Sequence, residues 1–360
     1  MNKRVQRLRE LLKEKSLDGL FISTPGNRRY LSGFTGSAGY LMITQQKAYL
    51  ATDFRYYEQV GQQSPDFELI KVTKPLREWL PELLTGVGTL GFEAFNLTFS
   101  QHQMLKSAML HMKPVARPKL VATEDLVEEI RVIKDPREML ILKRAVEIAD
   151  KAFTDIAAAL EPGQTERDIA WRLEKSMREQ GAEGNSFDLI VAAGPNAALP
   201  HHRPDDTQLK MNETLIIDMG CRLEGYCSDL SRTVWLGKPT DQYRRVYDTV
   251  LAAQETAINA VQAGMTGHEC DKLARDVIEK AGFGDNFGHG TGHGVGLDIH
   301  ENPRVSRNQK NVLKDEMAFT IEPGIYLPGW GGVRIEDIVI LEKGRSRDLT
   351  KAHKRDTVPA

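Results

Sequence analysis

The sequence predicts an α/β domain from residue 3 to about 120, followed by an α+β domain built from two related halves. Three observations carry this. Helix-period and strand-like apolar runs alternate in the first segment, a charged helical stretch follows, and the second segment repeats itself.

In the first segment, Val5, Leu8, Leu11 and Leu12 share one helical face, and the short apolar run 19–22 suits a buried strand. Residues 39–43, 48–52, 67–72 and 89–93 read as further strands, separated by helix-like stretches such as 77–84. Near residue 120 the pattern changes to charges at helical spacing, and Pro136 interrupts them after Asp135. The expected organisation is therefore an N-terminal domain over 1–122, a linker helix over 123–137 and a second domain over 138–360. The charged run 125–138 reads as a solvated helix face.

The repeat lies in the second domain. Ala-Leu-Glu-Pro-Gly-Gln-Thr at 159–165 matches Ala-Val-Gln-Ala-Gly-Met-Thr at 260–266, and Gly181 matches Gly282 at the same ungapped shift of 101 residues (260 against 159). Gly163 and Gly264 suit helix ends that need positive φ, while Thr165 with Asp168 and Thr266 with Glu269 fit capping boxes opening the next helix. Two helix-helix-strand halves related by a pseudo-two-fold axis are expected.

Composition narrows the function. A chain of 360 residues with 41% hydrophobic and 27% charged side chains is an ordinary two-domain globular protein. Forty-eight basic against fifty acidic residues leave a charge of -2, no footprint for nucleic acid or an anionic membrane. The basic N-terminus lacks the apolar core and cleavage site of a signal peptide, and no stretch reaches the length of a membrane span. Cys221, Cys227 and Cys270 are odd in number and lack metal-clip spacing, so packed, reduced thiols in the cytoplasm are expected.

The chemistry lies in acids placed where strands read as buried. Asp218 interrupts the apolar run 215–220, Asp229 opens the next strand, Glu322 ends the run 318–322, and Glu336 stands within 332–340. A charge in a buried strand costs several kcal/mol unless it is paired or coordinated. Four such acids converging from two related hairpins repel one another, and two divalent cations would neutralise them. Between the hairpins, Gly-rich 288–301 carries His289, His293 and His300, with His293 the evident imidazole donor. One nitrogen among carboxylate oxygens suits Mn or Co better than a structural zinc. Asp337, on the face opposite Glu336, reads as solvated or structural.

Taken together, LPHH at 199–202, GHGTGHGVGLDIHE, TIEPGIY and GGVRIED resemble the pita-bread metallopeptidases, the family of aminopeptidase P, prolidase and methionine aminopeptidase. The resemblance implies an α/β N-terminal creatinase-like domain and an α+β C-terminal pita-bread domain. It implies that Asp218 chelates one metal, that Asp229 and Glu336 bridge both, and that His293 and Glu322 complete the other shell. It gives His201 a substrate-binding role, makes His300 the carbonyl-polarising residue, and makes His289 and Arg334 accessory groups. Arg304 matches an arginine that in prolidases meets the free carboxylate of a dipeptide. The implied activity is hydrolysis of the N-terminal Xaa-Pro bond as an aminopeptidase, with an Xaa-Pro dipeptidase as the alternative. Glu322 would shuttle a proton and His300 would stabilise the oxyanion. The partners implied are peptides with proline second and a second copy of the chain in a homodimer. Creatinase-like metal-free hydrolysis, or a non-catalytic binding protein on the same fold, would not require the full ligand set.

Overall fold

The computed structural model describes residues 2–354 and 356–358. The chain divides into two compact units, Met1–Arg131 and Val132–Ala360.

The first unit is an α/β domain around one mixed sheet of six strands. Their order is Glu68–Lys71, Ala48–Thr52, Tyr40–Thr44, Gly19–Ile22, Thr89–Glu93, Lys119–Thr123. Helix Lys3–Glu14 buries Val5, Leu8, Leu11 and Leu12, the face its periodicity defines, and Asn2 caps it by accepting from the Arg4 and Val5 amides. Strands expected at 19–22, 48–52 and 89–93 occur there, and those expected at 39–43 and 67–72 are displaced by about one residue at their ends, as fraying boundaries are.

The expected linker helix over 123–137 does not form as one element. Thr123 still belongs to a strand of the first unit, Glu128–Arg131 is a four-residue helix, and Ile133 makes a β-bridge to Met317 before helix Pro136–Ala157 begins. Asp135 caps that helix in a reciprocal box with Glu138, so the chain must leave helical geometry just before Pro136. Nor is the charged run a solvated face: Arg131, Lys134 and Glu138 are buried. Each has an acceptor or donor that charge counting cannot see: Asn27 for Arg131, Glu301 for Lys134 and the Tyr226 hydroxyl for Glu138.

The second unit carries the duplication. Helix Glu166–Glu179 and helix Gly267–Lys280 have the same length and begin at equivalent positions. Thr165 and Thr266 cap them, accepting from the Asp168 and Glu269 amides at 3.1 Å each. Only the Thr266 cap is reciprocal, with Glu269 reaching back. Gly163 and Gly264 have φ of 89° and 97°, the left-handed conformation expected of them. The bridge Thr165↔Gln208 is matched by Thr266↔Val312. Against these helices lie two sheets. One is ordered Asp356–Val358, Leu230–Leu236, Thr214–Met219, Ile190–Ala193; the other Glu301–Val305, Gly292–Gly294, Ala318–Ile321, Asp337–Glu342, Arg345–Asp348. Separate apolar cores fill the halves, around Phe153, Leu173 and Ile217 in one and Val250, Ile278 and Phe319 in the other.

Asp337 is structural rather than solvated. It is fully buried, and it accepts from Arg232 at 2.7 Å, from Gln254 at 2.6 Å and pairs with Lys354 at 2.6 Å. Both faces of this strand are covered, so alternation does not lead to water. Cys221, Cys227 and Cys270 are free, buried thiols. Among the described residues, no helix is long and apolar enough to cross a membrane.

Candidate metal centre and substrate cavity

The five ligand candidates sit where each half's central strand pair opens. Asp218 lies inside the Thr214–Met219 strand and Asp229 just before Leu230–Leu236. At the turn between these strands a Cβ on Gly220 would lie 2.0 Å from the Ser228 carbonyl oxygen, so only glycine lets the two segments cross so closely. In the second half Glu322 follows Ala318–Ile321, and Glu336 precedes Asp337–Glu342. The halves are tied at this point: the Glu336 amide donates to the Ser231 carbonyl at 3.0 Å, and the Ser231 hydroxyl donates to Glu336 Oε2 at 2.7 Å. His293 occupies the middle of Gly292–Gly294. A Cβ on either neighbouring glycine would meet a backbone oxygen, of Thr320 at 1.9 Å or of Asn302 at 2.0 Å, which explains the glycine run around it.

The structure brings the five together. His293 Nε2 is 3.4 Å from Glu322 Oε1 and 3.6 Å from Asp229 Oδ2. Single donor atoms of Asp229, His293 and Glu336 all lie within 4.8 Å of one another. Asp218 Oδ2 accepts from Arg334 Nη2 at 2.6 Å, which places the fourth acid beside the group.

This donor set fits divalent cations. Asp218 Oδ1 is buried and has no hydrogen-bond partner. Burial, and then the charges of Glu336, Asp218 and Glu322, hold Asp229 well above the usual carboxylate range. Burial followed by Glu322 and Asp218 does the same to Glu336. Burial pushes Glu322 up to about 7 and His293 down to about 3. His293 is thus neutral at pH 7, and its Nδ1 lies 3.1 Å from the Gly294 carbonyl, which makes Nδ1 the protonated nitrogen. The Nε2 lone pair then faces carboxylates, an arrangement that is repulsive until a cation stands between them. Oxygen donors with one imidazole form a hard set.

Around the acids runs a relay of hydrogen bonds that the sequence reading did not assign. Arg334 Nε donates to the Ser231 hydroxyl at 2.9 Å, and its Nη1 donates to the Tyr326 hydroxyl at 2.9 Å. That hydroxyl lies 2.9 Å from His289 Nε2, while His289 Nδ1 lies 2.7 Å from the Gly290 carbonyl, so Tyr326 donates to His289. Burial pushes His289 down to about 4, leaving it neutral and able to accept. Thr320 Oγ1 accepts from the His293 amide at 3.0 Å and donates to Glu322 at 3.3 Å. TIEPGIY contains Tyr326, but only its place in the fold gives it work.

A cavity of about 780 Å³ opens over the acids, walled also by His201, His289, His300, Tyr326 and Arg334. The His300 and His293 rings meet edge-on with centroids 4.4 Å apart. Burial, then the charge of Arg304, lowers the pKa of His300. Arg304 does not line this cavity; it is an exposed residue directly opposite His293 in the antiparallel pair, and side chains so paired share a face. The site residues named from the sequence therefore gather at one cavity, with Arg304 at its margin.

Residues 141–343 match metallopeptidase family M24, and residues 4–133 match the creatinase/prolidase N-terminal domain. The chain belongs to metallopeptidase family M24. It is similar to the solved structure of an Xaa-Pro dipeptidase from Bacillus anthracis, with a TM-score of 0.94 and 39% identity, covering 99% of both chains. A Pyrococcus furiosus Xaa-Pro dipeptidase is 37% identical, covering 98% of this chain and 99% of its own. An X-Pro aminopeptidase structure from Thermotoga maritima has a TM-score of 0.89 and 36% identity, covering 98% of this chain and 99% of its own. Membership of M24 makes the chain an enzyme, a metallopeptidase with the pita-bread fold in its second unit.

Proposed function

We propose that this M24 enzyme is an Xaa-Pro dipeptidase that uses two divalent ions, Mn or Co. The observation that carries this reading is the position of Arg304, a cation at the margin of the cavity opposite His293, where the free carboxylate of a dipeptide would end. Relatives named as dipeptidases support it and reverse the order of preference drawn from the sequence, which put aminopeptidase first. Aminopeptidase activity keeps the support of the similar X-Pro aminopeptidase structure from Thermotoga maritima.

Asp218, Asp229, His293, Glu322 and Glu336 would hold the ions. When bound, such a pair supplies a nucleophile at neutral pH and polarises the scissile carbonyl. Glu322, beside Thr320 and His293, takes up a proton and passes it to the leaving proline nitrogen. His300, neutral at pH 7, donates a hydrogen bond to the oxyanion as it develops. His201 orients the substrate across the cavity. Arg334 holds Asp218 and, through Tyr326, fixes His289. A reduced cytoplasmic setting is supported by three unpaired thiols, and a homodimer by the resemblance alone.

The test is a rate comparison of metal-stripped enzyme, reloaded with Mn or Co, on an Xaa-Pro dipeptide and an Xaa-Pro-Xaa tripeptide. Preference for the dipeptide is expected, and Arg304→Ala should raise its KM about tenfold, the worth of one charge-assisted contact, without changing tripeptide cleavage. Preference for the tripeptide would make the enzyme an aminopeptidase, and metal-independent cleavage would overturn both readings.

A further inference from the structure

The first half of the duplication contains a buried acid that the second half lacks. Glu166, the first residue of its helix, is wholly inaccessible to solvent. Its Oε1 accepts from the Ala193 amide at 2.8 Å and the Asn196 side chain at 3.0 Å; its Oε2 accepts from His202 Nε2 at 2.6 Å and the Asp205 amide at 3.2 Å. Every one of these donors belongs to a single stretch, 193–205. With both oxygens so occupied, Glu166, His202 and Asp205 form a clamp rather than a cation cage.

The helix does not need this glutamate. At the equivalent position of the second half stands Gly267, behind the same threonine cap and the same β-bridge, and that helix is equally long. A Cβ on Gly267 would lie 2.1 Å from the Arg304 carbonyl oxygen, so there the chain closes directly on the helix start. In the first half the helix start is also closed by backbone bonds, from the Glu166 amide to the Thr207 carbonyl and from the Arg167 amide to the Asp205 carbonyl at 3.1 Å each, and the Glu166 side chain adds a reach to the loop 193–202 that Gly267 has no means to make. That loop carries Pro200 and His201 into the cavity wall, and the Pro200 carbonyl also accepts from Arg334 at 3.4 Å.

We propose that Glu166 is a positioning residue for peptide hydrolysis: by gripping His202 and the backbone around it, it fixes His201 on the cavity wall. The proposal rests on the reading of His201 as a substrate-orienting group. Misplacing such a group by about 1 Å costs up to about a hundredfold in rate.

A four-protein cycle on the Mn-loaded enzyme tests it, with wild type, Glu166→Ala, His201→Ala and the double variant assayed for kcat and KM on Ala-Pro. Glu166→Ala should lower kcat/KM about tenfold or more while metal content stays at the wild-type level. In the His201→Ala background the same change should cost less than about twofold, because the group it positions is gone. Equal losses in both backgrounds would overturn the proposal and make Glu166 a general support of the fold. A His201→Ala enzyme with wild-type turnover would overturn the reading of His201 itself, and the single variant identifies that failure whatever Glu166 does. Should Glu166→Ala not fold, His202→Ala cuts the same grip from the loop side, with the same expectations.

Discussion

Asp218 is held on one side only. Arg334 takes one of its oxygens while the other is buried without a partner, and around it Asp229, Glu322 and Glu336 are all pushed upward, first by burial and then by neighbouring carboxylates, Asp218 among them in each case. An acid whose folded pKa lies above its unfolded one binds more protons when folded, so stability falls as pH rises through that window. For Glu322 the window runs from 4.5 to about 7. The chelated enzyme should therefore lose thermal stability across that range, and the gap in Tm between metal-loaded and chelated protein should widen by several degrees from pH 5 to 7.5. A constant gap would mean that these acids are not destabilised by their own proximity. Tyr326 makes the second prediction at this scale. Tyr326→Phe removes the hydroxyl between Arg334 and His289, and it should lower kcat about tenfold at unchanged metal content, as loss of a supporting contact in a metal site does. The acids were legible in the sequence because a charge within an apolar strand is a local anomaly. Ser231, Thr320, Tyr326 and Glu166 were not, because a hydroxyl in a strand or an acid at a helix start is locally ordinary and acquires meaning only from what lies across the fold.

At the scale of elements, the two capped helices make an internal comparison. Thr266 shares a reciprocal box with Glu269, whereas Thr165 only accepts from Asp168. Replacing either threonine by alanine should cost about 1 kcal/mol, with the larger loss at Thr266, measurable by urea unfolding of the metal-loaded protein. The strands and helix caps could be read in advance because apolar period and capping chemistry are local. The segment before Pro136 could not. Its charges repeat at helical spacing, yet Arg131, Lys134 and Glu138 each turn inward to a partner distant in sequence. For Asp337 the same limit left a solvated and a structural reading both open, of which the structural one holds: alternation assigns a face but not what covers it.

At the scale of the molecule, the chain is two units with cores of their own, and every ligand candidate lies in the second. If the two units unfold independently, binding stabilises the one that binds and not the other. Calorimetry should resolve two transitions, with chelation lowering the midpoint of one and leaving the other in place; a single transition that moves as a whole would mean that the units unfold together. The duplication was visible as a repeat of caps and helix ends. That Ser231 and Glu336 would join the halves was not, since their bridge spans residues with no shared pattern.

All three cysteines lie in the second unit, at 221, 227 and 270. Burial pushes Cys221 up to about 11 and raises Cys227 and Cys270 as well, so the folded unit offers no thiolate to an electrophile. Alkylation thereby becomes a clock for opening of the catalytic unit alone, blind to whatever the N-terminal unit does.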